Sequence, residues 1–484
     1  MSPRAIVVGA GPNGLTAAAL LAKRGIEVTV YERDAQIGGA ARSAELFGPG
    51  FVSDLGAAAH PFGIASPAFR ELELERNGLE WVHPDIPMAH PLPGGRAAML
   101  HRDIEETVRE LGVDGPAWRR LHEHFAQRPF ETVENTMGPL LRIPPHPVDM
   151  VRLGIRGALP AATLAGLAFR SGAAKALLAG SSAHATLPLT RLLTAAFGIT
   201  FGALGHSTGW PVARGGSSGI TDALARVLLD NGGRIETETE ITDLRELPRA
   251  NAVLLDLTPA QVLRIAPEQL EPRYAAHLRR WRYGAGVHKI DYLLDGVVPW
   301  SDARVAGAGT VHVGGRMEEI VAAERAVNRG RMPERPFVMV TQQSNADPSR
   351  TRDGKQVLWT YAHVPNGASD AVRPLLEAQI ERFAPGFGDL VRERREWSPS
   401  ALEAWNPNLI GGDIGGGSLA GSQQIFRPAP TLHPYRAGRR GLYICSSSAP
   451  PGGGVHGMPG MHAARAVLHD LAPRGVGVRT GRYG

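Results

Sequence analysis

Near the amino terminus a short apolar run, Ala5-Ile6-Val7-Val8, passes directly into Gly9-Ala10-Gly11-Pro12-Asn13-Gly14 and then Leu15. Glycines at the spacing GxGxxG suit the grip of a dinucleotide pyrophosphate. Gly9 permits a tight turn, Gly11 lets the backbone approach a phosphate, and Gly14 allows a helix to pack closely on a strand. Pro12 and Asn13 open that helix, where unpaired N–H groups and the helix dipole favour negative charge. Glu32 ends a second apolar run, Val28 to Tyr31. A carboxylate placed there accepts hydrogen bonds from ribose hydroxyls and disfavours a 2′-phosphate.

Other candidates for chemistry are sparse. Only four lysines, Lys23, Lys175, Lys289 and Lys355, stand among 52 basic residues, so the choice of lysine at 289 is conspicuous. The run Gly286 to Leu294 alternates with period two and puts Val287, Lys289, Asp291 and Leu293 on one face. Lys289 is there either as a compact, tunable ammonium or as half of a solvated pair with Asp291. His60 and His456 are the histidines placed to serve as acid or base, with a hydrogen-bonding role as the alternative. His462 is expected only to pack. His122 and His124 are two residues apart, which is wrong for one helix face, and no metal site is expected. The single cysteine, Cys445, excludes an intrachain disulfide and a CxxC pair. A reduced, cytoplasmic protein is expected.

Elements that would position these residues alternate at both ends of the chain. Ala5 to Val8, Val28 to Tyr31, Ala252 to Leu257 and Leu442 to Cys445 read as strands covered on both faces. Leu15 to Arg24, Ile220 to Asp230 and Pro459 to His469 read as helices. Antiparallel strands are expected around His288 to Leu294 and Val357 to His363, and proline-rich loops at Pro84 to Pro93 and Pro139 to Pro147. Val151 to Trp210 is apolar but interrupted by arginines and prolines, so it predicts several short helices rather than a membrane span. These either line an apolar pocket, lie on a membrane surface or face the core. No export signal is expected ahead of Ala5.

A second motif stands directly after Glu32. Arg33-Asp34-Ala35-Gln36-Ile37-Gly38-Gly39-Ala40-Ala41-Arg42 places a Gly-Gly pair and an arginine beyond the acidic residue, and Gly441 to Arg465 runs from a strand through a polar loop and a glycine cluster into a helix. Here the chain resembles the FAD-dependent amine oxidase and phytoene desaturase superfamily, especially its phytoene dehydrogenase-related group. Gly209 to Ser217 is similar to the family's return from cap to FAD domain. Asn408 to Ile414 is similar to a segment of the group that includes pyridine nucleotide-disulphide oxidoreductase domain proteins. The resemblance implies an α/β fold in which a Rossmann-type FAD-binding domain, a doubly wound parallel sheet, carries an inserted α+β substrate domain with an antiparallel sheet and a helical cap. The expected pieces are 1–75, 206–270 and 436–484 for the FAD domain, and 76–205 and 271–435 for the substrate domain. Gly9, Gly11, Pro12, Asn13, Gly14, Glu32, Arg33, Gly38, Gly39, Ala40, Arg42, Ile241, Ser447, Gly454, Val455 and His456 are then expected to hold FAD. Lys289, His456 and His60 are the expected catalytic residues, with Lys289 matching a lysine that flavin amine oxidases keep near flavin N5.

The implied activity is an oxidoreductase, a desaturase or dehydrogenase, taking a hydride from a fairly apolar substrate and passing electrons to oxygen, a quinone or another acceptor. A flavin amine oxidase and a non-catalytic flavoprotein are the alternatives. Net charge is +5 with scattered positive residues, so no nucleic acid partner is expected. A peripheral membrane contact and a homodimer are both compatible with the sequence.

Overall fold

A computed structural model describes residues 3–472, so 473–484, the end of the third expected FAD-domain piece, lie outside the described residues. Its five-stranded sheet is wholly parallel, in the order Leu442–Ile444, Ala252–Leu255, Arg4–Val8, Glu27–Tyr31, Arg234–Glu236. Both faces are covered, which is why these strands read as continuous apolar runs. The helix Pro12–Ala22 packs between Ser218–Asp230 and Met458–Leu471. Ile6, Leu15, Leu21, Leu224, Leu254 and Val467 form part of this core.

The second sheet has seven strands, in the order Val391–Trp397, Gly286–Leu294, Gln356–Val364, Val338–Thr341, Ala308–Val313, Ile86–Leu92, Arg96–Leu100. Every pairing is antiparallel except that of Ala308–Val313 with Ile86–Leu92. Period two divides its faces. Ile290, Tyr292, Leu294, Leu358 and Val340 pack with Leu376 and Ile380 of the helix Arg373–Glu381. Val287, Met339, Trp359 and Tyr361 face the opposite core, beneath a helical cap.

Pro84 to Pro93 is not the loop its prolines predict, because Ile86–Leu92 is an internal strand. Its prolines sit where only one neighbour is paired: Pro87 precedes the register with Arg96–Leu100, which starts at Met88, and Pro91 follows the register with Ala308–Val313, which ends at Ala89. A missing N–H therefore removes little from the ladder.

The stretch Val151 to Trp210 folds into short helices, with Pro147–Gly157 leading into Ala161–Ala168, Gly172–Ala183 and Thr194–Gly205. Among the described residues no helix is long and apolar enough to cross a membrane. The cap closes over Trp118, Leu178, Ile199 and Trp210.

Candidate functional site

A cavity of about 600 Å³ runs from the glycine loop, between the parallel sheet and the cap, to the cap-facing side of the second sheet. Gly9 has a φ of +100°, the left-handed turn that releases the chain from its strand. A Cβ on Gly14 would lie 2.1 Å from the Gly9 carbonyl oxygen, so only glycine lets the helix start this close. Glu32 fixes the next corner: the Ala10 N–H donates to its Oε2 (2.8 Å) and the Asp34 N–H to its Oε1 (3.0 Å). Gly38 donates its N–H to the Ala10 carbonyl (2.8 Å), and a Cβ on Gly39 would meet Gly11 Cα at 3.1 Å, so the two glycine motifs lie back to back. Arg42 bonds the Gly39 carbonyl through Nε (3.1 Å), pairs with Asp34 at 2.9 Å and lies over the Trp405 ring. Arg33 donates to the Trp405 carbonyl.

Of the residues expected to hold a dinucleotide, all but Gly14 and Gly38 line this cavity, including Ile241, Ser447, Gly454 and Val455. Those two glycines act behind the wall, in packing and in the turn. The wall also carries buried polar atoms with no protein partner: Asn13 Oδ1, Gln261 Oε1 and Arg427 Nε. Such atoms are costly unless something else satisfies them; the hydroxyl and amino groups of a dinucleotide would donate to the two amide oxygens, and its acceptor oxygens would take the Arg427 N–H. The helix start, the close-approach glycines, the Glu32 carboxylate at the end of the second strand and these orphaned groups fit FAD.

Sequence reasoning missed two residues here. Asp256 follows the strand Ala252–Leu255, and its Oδ2 accepts from the Gly14 N–H at 2.9 Å. Burial pushes its carboxyl up from 3.8 to about 7; the Gly14 bond opposes this and Glu32 adds to it. Its position at the carboxyl end of a strand beside the first strand, where open α/β sheets bind ligands, was the available signal. Arg427 is buried and donates to the Ser447 carbonyl at 3.1 Å, and no motif marks it.

On the sheet side, Lys289 and Asp291 do pair, but neither is solvated: their side chains are 3% and 0% exposed. Burial pulls the Lys289 ammonium down and Asp291 pulls it back; burial pushes Asp291 up, opposed by Lys289. Ser53 and Trp397 also donate to Asp291, and the ammonium lies between the rings of Trp359 and Trp397. Lys289 lines the cavity together with His60 and His456.

The two histidines differ in tautomer. Ser217 Oγ gives its only proton to the Ala57 carbonyl (2.7 Å), so His60 Nε2–H donates to Ser217 Oγ (2.8 Å) and Nδ1 stays bare. Ser217 is itself held by Asp54 Oδ1, which accepts from its N–H, while Asp54 Oδ2 pairs with the buried Arg350 at 2.7 Å. In His456, Nδ1 accepts from the Met458 N–H (3.2 Å), which leaves Nε2 as an unpartnered donor. Burial lowers both imidazoles to about 4, so both are neutral at neutral pH. His462, as expected, packs: it stacks on Tyr435 and bonds the Met137 carbonyl.

Residues 7–72 match the NAD(P)-binding Rossmann-like domain. Along 96% of this chain and 93% of the relative, the sequence is 26% identical to pyridine nucleotide-disulfide oxidoreductase domain-containing protein 2 of Rattus norvegicus. It is also 26% identical to the neurosporene-forming phytoene desaturase of Rhodobacter capsulatus, over 97% of this chain and 94% of that one. Among solved structures, an oxidoreductase from Methanosarcina mazei superposes with a TM-score of 0.60 at 16% identity, covering 96% and 100% of the two chains. Wild-type putrescine oxidase superposes with a TM-score of 0.59, also at 16% identity, over 97% and 99%. At that identity the likeness is one of fold. The chain thus carries a Rossmann-like dinucleotide-binding domain, fits FAD as its cofactor, is similar along nearly its whole length to an oxidoreductase domain protein and a phytoene desaturase, and shares its fold with a putrescine oxidase.

Proposed function

We propose that the protein is a dehydrogenase or desaturase that oxidises a C–H bond of an apolar, uncharged substrate and passes the electrons to oxygen, a quinone or another acceptor. One observation carries this reading: the acids in the cavity wall, Glu32, Asp34, Glu240 and Asp256, are grouped with the dinucleotide motifs. Away from them the wall is apolar and aromatic, with Phe62, Phe197, Phe201, Trp210 and Met339. An ammonium substrate would find no free carboxylate there, since Asp291 is already held by Lys289. The phytoene desaturase likeness agrees, and the fold shared with putrescine oxidase does not outweigh the missing acid.

Bound flavin supplies the hydride acceptor. The chain supplies the rest. The cap and the aromatic wall exclude water and hold the apolar body. Lys289, anchored by Asp291, presents a fixed cation at the cavity wall. His456 offers a proton at Nε2, and His60 Nδ1 can accept one.

Anaerobic mixing of the flavin-loaded protein with a panel of hydrocarbons, terpenoids, long-chain alcohols and primary amines tests the reading. Bleaching of the flavin by uncharged apolar members is expected. Bleaching by amines alone would turn the assignment to amine oxidation, and bleaching by none would favour a flavoprotein that binds partners without turnover.

A further inference from the structure

We infer that the aromatic part of the cavity recognises one neutral oxygen on an otherwise apolar substrate, a carbonyl or a hydroxyl, through the Nδ1–H of His184. This narrows the substrate class within the apolar-substrate reading and rests on that reading.

His184 follows the helix Gly172–Ala183, is half-buried and lines the cavity. Its ring is held in place by three neighbours. It stacks on Phe201 with 4.4 Å between centroids, meets Trp210 edge-on at 5.5 Å, and brings its Nε2 to 3.1 Å from His312 Nε2. Phe201 and Trp210 also line the cavity, away from the dinucleotide motifs.

The tautomer of His312 decides what the cavity meets. A bond between two neutral Nε2 atoms needs one donor and one acceptor. His312, on the strand Ala308–Val313, is fully buried, and its Nδ1 has no partner. A Cβ on Gly180 would lie 2.7 Å from that nitrogen and 2.9 Å from His90 Nδ1, so a Gly180 Cα–H points at both. His90 donates its Nε2–H to the Gly315 carbonyl at 2.7 Å, which leaves its Nδ1 bare. A proton on His312 Nδ1 would be a buried donor facing a C–H, an arrangement proteins rarely keep, whereas a bare nitrogen suits that neighbour. His312 therefore donates from Nε2 to His184 Nε2, and the proton of His184 stands on Nδ1. Because His312 occupies the Nε2 edge, the open edge of the ring carries this N–H. It has no acceptor among the described residues and is not sealed as the Nδ1 atoms of His90 and His312 are. Burial, with His363 adding to it, holds the imidazole down at about 3, so the donor is uncharged.

Thr310 supplies a second unsatisfied group. It stands two residues before His312 on the same strand face, lines the cavity and is 1% exposed, yet its Oγ1 has no partner. Two unused donors in an aromatic wall suit an oxygen with two lone pairs. A hydrocarbon would leave both unpaired, and an ammonium would bring only further donors to His184.

The test is anaerobic titration calorimetry on the protein with its flavin already reduced, so that binding is read without oxidation. The probes are 2-decanone, 2-decanol and decane, the cyclic set menthone, menthol and p-menthane, and decylamine. The ketone and alcohol of at least one set should bind. His184→Phe keeps a ring against Phe201 and should weaken both about 10- to 100-fold while leaving the hydrocarbon of that set unchanged. His184→Asn, which can offer an N–H from nearly the same place, should recover part of the loss. Thr310→Val, close in shape, should cost the oxygenated probes about three- to tenfold and the hydrocarbon nothing. If His184→Phe loses flavin or its melting transition, the Thr310→Val comparison decides. Binding by hydrocarbons alone, or variants that weaken all members of a set equally or none of them, would overturn the proposal and leave the apolar-substrate reading standing. Binding by decylamine alone, or by no probe, would overturn both.

Discussion

Asp256 sets up a pH dependence that one substitution should erase. Its carboxyl is buried against the start of the first helix, accepts from the Gly14 N–H and is raised from 3.8 to about 7. The titratable neighbours are Glu32 from the second strand, whose charge pushes it further up, and the buried Cys445 thiol beyond the last parallel strand, itself raised well above its ordinary value by burial and by Asp256. Between pH 3.8 and about 7 the folded protein holds a proton that the unfolded chain releases, so stability falls as pH rises through that window. At 1.36 kcal/mol per pH unit the full loss is about 4 kcal/mol. Asp256→Asn keeps an oxygen for Gly14 but cannot ionise. In urea denaturation at matched flavin content, the variant should gain on the wild type by about 3 kcal/mol between about pH 5 and pH 8. The same proton would bear on the cofactor, since Asp256 lines the cavity at the glycine loop, and a carboxylate there would be a like-charge contact for a pyrophosphate held by that loop. Wild-type FAD affinity should therefore weaken above about pH 7 while that of Asp256→Asn stays level. Parallel stability curves for the two proteins would refute the reasoning.

Other substitutions test the remaining parts of the site. Glu32→Ala removes the acceptor of two backbone N–H groups and the carboxylate expected to bind a ribose, and should weaken FAD retention roughly 10- to 100-fold by equilibrium dialysis. Lys289→Met strands Asp291 in the interior and should cost about 3 to 5 kcal/mol in a denaturant melt. Adding Asp291→Asn should restore most of that stability, and a flavin reduction rate that stays slow in the double variant would separate a chemical role from a structural one. His60 and His456 refuse protons until about pH 4, whereas the unfolded chain binds them near 6.5, so their contribution to stability should fade as pH drops across that interval. Stopped-flow flavin reduction should show no inflection near pH 6.5 that His456→Gln abolishes.

The sequence disclosed the parts of this site that depend on local geometry. Strand, glycine turn, helix and Glu32 are contiguous, and each element constrains the next, so their arrangement could be read before any coordinates. Lys289 was visible because period two assigns faces in a strand and lysine is rare in this chain. Asp256 was hidden because its role depends on a strand pairing 247 residues away in sequence, that of Ala5 with Ala252. Arg427 was hidden for a similar reason, since its partners are carbonyls of distant loops. Pro87 and Pro91 misled because proline signals a loop unless the pairing of each neighbouring strand is known.

The order of the parallel sheet also governs when this protein can first hold its cofactor. Its first strand lies between one made soon after it and one centred near residue 253, and the edge beyond is closed only by Leu442–Ile444. The glycine cluster and His456 come later still. On the ribosome, the GxGxxG loop is therefore made long before the second strand that flanks it, and it must wait, with its apolar strand edge uncovered, until Leu442 to His456 has emerged. Contacts so distant in sequence fold slowly and expose aggregation-prone edges meanwhile. Flavin loading should thus be a late, post-translational event, and the yield of intact protein in a cell should respond to FAD supply and to chaperone capacity more than to the rate of synthesis.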